Sequence, residues 1–289
     1  TIEINWIISI VTEKFIFMYG IASGMSCLHP LGIVHQNLKA EDILIDVNLY
    51  PKISNFSSSL KISDEGENLK ANDVLAFSFI VYEMMTNKKI SCDVSSSYRP
   101  SLNEENLSKS CRDLIEKCWT IEPNNRPTFS EIIEKLKVDR KIIIEKVNQD
   151  DITKYIDLLE KYQVKSDSQK VPSKQQFNKI ATENQSKIEE VEENDQELKA
   201  EFLDLKKFEL GDLISKSDFS KTYKVTSKEN RKTYSCKIST IKMNKLSRGE
   251  LINLSREVNI ISQLNHPSFL KFIGYSPVDF KNKSRSVIV

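Results

Sequence analysis

The chain has 289 residues, 39% hydrophobic and 29% charged, enough for one large domain or two modest ones with real cores. A formal net charge of +1 removes the electrostatic argument for a nucleic-acid partner or an acidic membrane surface. Cys27, Cys92, Cys111, Cys118 and Cys236 form no Cys-x-x-Cys pair, as expected for reduced thiols of a cytoplasmic protein. Residues 5–25 are the most apolar N-terminal stretch. Glu13 and Lys14 interrupt them, so no membrane span is expected there. No basic segment marks them as a secretory signal. The apolar spacing of residues 12–32 predicts a helix ending near Pro30 and Gly32. A polar loop, "HQNLKAED" (35–42), then leads into strand-like "ILID" and "PKIS". Residues 72–89 are apolar on nearly every face and predict a central buried helix with Asp73 near its start, placed to cap it.

Two amphipathic helices are expected at 108–119 and 128–137, separated by the Pro- and Asn-rich turn "TIEPNNRP". Cys111 and Cys118 lie seven apart in the first of them, the spacing of core packing. Residues 141–206 hold one proline, no glycine and many charged side chains. They read as a charged, partly helical linker with a short helix at 151–162, and the heptad-like run from Ile188 to Leu205 reads as a solvated linker helix, with a short partner helix as the alternative. Residues 208–215, 221–227, 232–239, 269–276 and 284–289 read as strands, with one helix over 247–265. There are only seven glycines, far below the usual ~7%, so most loops must turn without them.

Several of these stretches together resemble the protein kinase family. "VHQNLKAEDILID" followed by "NFS" resembles the catalytic segment H-R-D-L-K-x-x-N and D-F-G. "DVLAFSF" resembles the helix beginning D-V-x-S-F-G, and "CRDLIEKCWTIEPNNRPTFSEII" the end of a C-lobe in the tyrosine-kinase-like group. "LISKSDFSKTYKV", "YSCK" and "SREVNIISQLNHPSFLKFIGYS" are similar to the Gly-rich loop, the V-A-I-K strand and the αC–β4 segment of an N-lobe. The resemblance implies an α+β, bilobal, protein-kinase-like fold in an unusual order. Residues 1–140 would be a mainly helical C-lobe and 141–206 a linker. Residues 207–289 would be an N-lobe with a five-stranded antiparallel sheet and its helix. The simplest expectation is a slice through a tandem array, the C-lobe of one kinase-like domain followed by the N-lobe of the next. A circular permutation is the alternative, since about 65 linker residues could span the lobes.

The resemblance also assigns roles. Asn37 stands at the catalytic base position, Lys39 beside it, Asp42 at the position of the metal-binding Asn, and Asn55 at that of the metal-binding Asp. An amide accepts no proton at pH 7, and loss of general-base help costs about 10²–10⁴-fold in rate. The exchange leaves one carboxylate, Asp42, for weak metal binding. Ser215, Ser217 and Ser220 replace the loop glycines, and Thr222 and Ser235 replace apolar residues over the adenine. Lys237 and Glu257 match the ion pair that holds phosphates, and Leu44 the residue beneath the base. His35, Phe56, Ile261 and Phe272 match the family's hydrophobic spine, Trp119 a core tryptophan, and Asp73 the residue that binds the catalytic-loop backbone. The activation segment is short, with seventeen residues between Asn55 and Asp73, and Glu65 is the candidate mate for Arg126. ATP and Mg²⁺ are the implied cofactors, and other kinase-like domains or signalling proteins the implied partners. The expected function is a pseudokinase acting as a signalling scaffold or regulatory module with weak or no phosphotransfer. The alternative is an active serine/threonine or tyrosine kinase with atypical catalytic residues.

Overall fold

The computed structural model describes residues 2–3, 11–62, 66–90, 98–143, 147–166, 203–216, 220–240, 248–276, 279–280 and 287–288. The expectations for Glu65, Cys92 and Ser217, for Ile188 to Phe202 of the heptad-like run, and for the side chain of Ser215 lie outside the described residues.

Strand β1 (Ile2–Glu3) precedes helix α1 (Val11–Leu28), in which every residue from Phe15 to Met25 is buried. The helix gives way to a short 3-10 turn, His29–Leu31, because Pro30 cannot supply the next helical N–H. Gly32 closes the turn at φ 69°, its N–H donating to the His29 carbonyl at 3.0 Å. Strands β2 (Ile33–Val34), β3 (Ile43–Ile45), β4 (Pro51–Ile53) and β5 (Leu60–Lys61) follow. They form a β1-β3-β4 sheet and a β2-β5 pair. Helix α2 spans Glu67–Thr86 and ends on Asn87 at φ 57°. It begins six residues before Asp73, so that carboxylate lies inside the helix and does not cap it. Among its described residues, the short stretch after Asn55 holds a 3-10 turn at Phe56–Ser58 and β5 before α2 starts.

Helix α3 (Lys109–Cys118) starts where the Ser108 hydroxyl accepts from the Cys111 N–H at 3.0 Å. Cys111 and Cys118 are buried in the core, and burial pushes both thiols up to about 12, the behaviour of packing groups. Helix α4 (Phe129–Val138) has a reciprocal capping box between Thr128 and Glu131. Thr128→Ala is expected to lower stability by about 1 kcal/mol, read as a lower urea midpoint at unchanged slope. An unmoved midpoint would mean that the cap carries no weight.

The short helix expected in the first part of the linker forms and packs into the core. Helix α5 (Gln149–Ser166) buries Ile152, Tyr155, Ile156 and Leu159 in the same core as α1. Gly20 of α1 makes room for it, because a Cβ there would strike the Tyr155 hydroxyl and the Pro51 ring. The sequence shows α5 as charged because only one stripe of it is apolar.

Strands β6 (Phe208–Lys216), β7 (Ser220–Ser227) and β8 (Thr233–Ser239) pair antiparallel in chain order, with register shifts in β6 between Leu210 and Ser215. Helix α6 (Arg248–Gln263) precedes β9 (Tyr275–Ser276) and β10 (Val287–Ile288). The sheet order is β6-β7-β8-β10-β9. Residues 269–276 are a strand only at their end. The backbone at 268–269 instead joins β4, with the Ile53 N–H donating to the Ser268 carbonyl at 2.7 Å and Phe269 bridging Ile53 in parallel. Ser268 Oγ donates to the Gly20 carbonyl at 2.7 Å, and the Lys52 ammonium donates to the Pro267 carbonyl. Ile260, Leu264 and Phe269 accordingly belong to the large core of α1–α5, while Leu205, Val225, Cys236 and Ile238 form a small core of the sheet. The two ends of the sequence therefore pack together within one chain. No helix among the described residues is long and apolar enough to cross a membrane.

Candidate functional site

The loop of residues 35–42 is held from below by Asp73. Its two carboxylate oxygens accept from the backbone N–H groups of His35 and Gln36, both at 2.8 Å. His29 Nε2 lies 3.1 Å from the same carboxylate. Gln36 turns the chain at φ 68°, so His35 and Leu38 point into the core while Asn37 and Lys39 stay exposed. The His35 ring is buried with Nε2 3.0 Å from the Ser54 carbonyl. Burial keeps its pKa low, outweighing the pull of Asp73. The His35 and Phe56 rings sit 5.2 Å apart. The ring on the other side of Phe56 is Phe269, at 5.9 Å, whereas Phe272 packs separately with Val258 and Tyr275. Ile261 lies against the large core.

At the end of the loop Asp42 is 5% exposed. Its carbonyl accepts from both the N–H and the hydroxyl of Ser54, at 2.9 Å each. Asn55, at φ 66°, aims its Nδ2 at Asp42 Oδ1 (2.8 Å), and its Oδ1 accepts from the Ser57 hydroxyl at 2.8 Å. Burial pushes the Asp42 carboxyl up to about 7, against the opposing pull of the Asn55 amide, Lys39 and Lys237.

Lys237 reaches this site from the sheet. On β8, Cys236 and Ile238 are buried, and Lys237 between them turns to the opposite face. There its Nζ lies 2.8 Å from Glu257 Oε1 of α6. Glu257 is buried and Lys237 partly exposed. Thr222 on β7 is the cross-strand partner of both Lys237 and Ser215, Ser220 faces Ser239, and Leu44 on β3 faces Lys52. Arg126 finds its partners in carbonyls, with Nε donating to Thr120 (2.9 Å) and Nη1 to Ala71 (3.1 Å), and in Asn72 Oδ1 (3.3 Å). Trp119 lies against Phe79 and Tyr82 in the core.

Residues 9–96 and 69–136 match the family model described as protein tyrosine and serine/threonine kinase. Residues 9–136 are thus similar to protein kinases. The chain is similar to a probable serine/threonine-protein kinase of Dictyostelium discoideum, 32% identical over 146 residues, with 40% of this chain and 10% of that protein covered. It is also similar to the dual specificity protein kinase shkD of the same organism, 30% identical over 148 residues, with 40% of this chain and 20% of that protein covered. Mitogen-activated protein kinase kinase kinase 12 of Rattus norvegicus is 29% identical over 148 residues, with 41% and 17% covered. The chain thus spans between a tenth and a fifth of the length of these relatives.

The kinase family generally uses ATP and Mg²⁺, and the donor set here can be tested against the ion. Mg²⁺ asks for near-octahedral oxygen ligands, usually one or two carboxylates with phosphates and water. Of the two expected metal positions, 42 and 55, only Asp42 carries a carboxylate, and Asn55 turns its amide N–H toward it. Among the described residues no three His, Cys, Asp or Glu side chains gather as a metal site. The ion does not fit this arrangement. Two contributors escaped the sequence reading. Ser57 stands in "NFS" where the D-F-G motif has its glycine, and its position two residues after Asn55 is the signal that its hydroxyl reaches back. His266, in "NHPSF", joins the two ends of the chain, a role that becomes visible only once α1 is beside it.

Proposed function

We propose that residues 1–140 act as a kinase-like C-lobe, 141–206 as the linker that follows it, and 207–289 as an N-lobe. The chain then acts as a pseudokinase of the tyrosine-kinase-like group, a cytoplasmic scaffold or regulatory module for other kinase-like domains or signalling proteins. The observation that carries this reading is Asn37. The loop bearing it is pinned by Asp73 as an active loop would need, yet the side chain it presents is a neutral amide. The frame survives without the proton acceptor. Phosphoryl transfer rests on positioning and charge, so the loss of a base and of a metal carboxylate removes two of its parts. Contacts of residues 266–269 with α1 and β4 support lobes that work as one unit within this chain, in permuted order, over lobes that serve separate domains.

The second reading, an active kinase with atypical residues, draws on the intact Lys237–Glu257 pair and on relatives named as kinases. The pair also has a structural role, since it ties β8 to α6. Incubation of the chain with radiolabelled ATP, Mg²⁺ or Mn²⁺ and a generic protein substrate separates the readings. The expected result is no incorporation above that of a Lys237→Ala variant. Incorporation that disappears in that variant would establish the active kinase instead.

A further inference from the structure

We propose that the hydrogen-bond chain from Ser57 through Asn55 to Asp42 takes the place of a divalent cation, so that any nucleotide this site holds is held without Mg²⁺. The inference rests on the reading above, in which Asp42 and Asn55 occupy the metal positions.

Both ends of the Asn55 amide are committed. Its Nδ2 donates to Asp42 Oδ1 and its Oδ1 accepts from the Ser57 hydroxyl, each at 2.8 Å. The orientation follows from the Asp42 partner, because the reversed amide would set its oxygen against a carboxylate oxygen. A cation at Asp42 Oδ1 would have to displace an N–H that already supplies the positive end of a dipole. The other oxygen, Asp42 Oδ2, exposes less than 1 Å² and has no hydrogen-bond partner. It is too enclosed for the waters that Mg²⁺ keeps in its shell. The backbone leaves little freedom to reopen the site. The Asp42 carbonyl is tied twice to Ser54, its N–H donates to the Lys39 carbonyl at 3.0 Å, and Asn55 is held in the left-handed region. The positive charges of Lys39 and Lys237 already act on Asp42. The exchange of Asn and Asp between positions 42 and 55 therefore does more than move a charge. It turns two converging ligands into a donor and an acceptor that satisfy one another.

The test uses the full chain and Mn²⁺ alone, following the free-ion electron paramagnetic resonance signal. The wild type is expected to leave that signal unchanged. Asn55→Asp, which replaces the N–H donor by a second carboxylate, is expected to take up Mn²⁺ at least about tenfold more tightly, the size typical of changes beside a metal ligand. A melting curve reports whether each variant is folded. Mn²⁺ uptake by the wild type that is lost in Asp42→Asn overturns the proposal, and so does a folded Asn55→Asp that takes up none. Uptake that persists in Asp42→Asn lies elsewhere and agrees with a closed site. If Asn55→Asp does not fold, the wild-type titration and its Asp42→Asn control decide alone. Uptake at Asp42 without phosphotransfer would sink this inference and spare the pseudokinase reading, whereas Lys237-dependent phosphotransfer would sink that reading.

Discussion

Asp73→Ala is expected to cost about 3–5 kcal/mol of folding stability, more than any surface change in the chain. The side chain is 1% exposed and lies inside α2, with its two oxygens on the N–H groups of His35 and Gln36. Removing it leaves the buried His35 N–H unsatisfied, frees the turn at Gln36 and strips His29 of its partner. Leaving a buried donor unmet costs about 1–3 kcal/mol, and a charge-assisted bond is worth more than a neutral one. Asp73→Asn keeps one acceptor oxygen for two donors and should lose roughly half as much. Urea denaturation measures both. Hydrogen exchange at His35 and Gln36 should accelerate more than exchange in α4, which does not touch the loop. A loss under about 1 kcal/mol in Asp73→Ala would mean that another group anchors the loop.

The second large effect is a pH dependence at His266. This side chain is buried, with Tyr162 and Phe269 against its ring. Its Nδ1 accepts from the Ser268 N–H at 3.1 Å, so Nε2 carries the proton and faces Ser23 Oγ at 3.2 Å. A second proton on Nδ1 would oppose that N–H, in a buried site near Lys52. Burial first, and Lys52 second, lower the pKa to about 4. The unfolded chain takes up the proton near pH 6.5, and the folded chain resists it until about pH 4. Stability from this group is therefore complete above pH 6.5 and falls as the pH drops toward 4. Between pH 7 and pH 5 the expected loss is about 2 kcal/mol. The low pKa of His35 adds a slope of the same sign, and the raised Asp42 a slope of opposite sign, so the comparison must be internal. His266→Gln cannot take up the proton. The stability difference between wild type and this variant, followed by urea denaturation at pH 7 and pH 5, should shrink by about 2 kcal/mol. A difference that stays constant would place the His266 pKa near its ordinary value.

Much of the helical frame was legible because apolar spacing reports which face is buried. The helices at 108–119, 128–137 and 247–265, the strands at 208–215, 221–227 and 232–239, and the turn at Pro30–Gly32 all formed within a few residues of expectation. The failures share a cause. Asp73 looked like a helix cap because the start of α2, Glu67 to Asn72, holds only Leu69 and Ala71 as apolar residues before the continuous apolar run begins. Residues 269–276 looked like a strand because apolar runs do not reveal which edge takes their backbone, and here β4 and α1 took it. Helix α5 formed where a short helix was expected, but its packing into the core was not legible because its buried stripe is narrow and its other faces are charged.

The sequence by itself determined the kinase resemblance, the neutral amides of Asn37 and Asn55, the carboxylate of Asp42, and the presence of Lys237 and Glu257. These are statements about which chemical groups exist, and no packing can alter them. Tertiary structure alone decided what each group faces. His35 and Asp73 are 38 residues apart, and Ser23 and His266 are 243 apart. Contacts over such separations form only when α1, α2 and the 266–269 turn are already packed, because hydrogen-bond direction depends on backbone placement and not on residue type. For the same reason "HQNLKAED" reads in sequence as a weakened metal site, while in the fold its Asp42 is closed by Asn55 and Ser57.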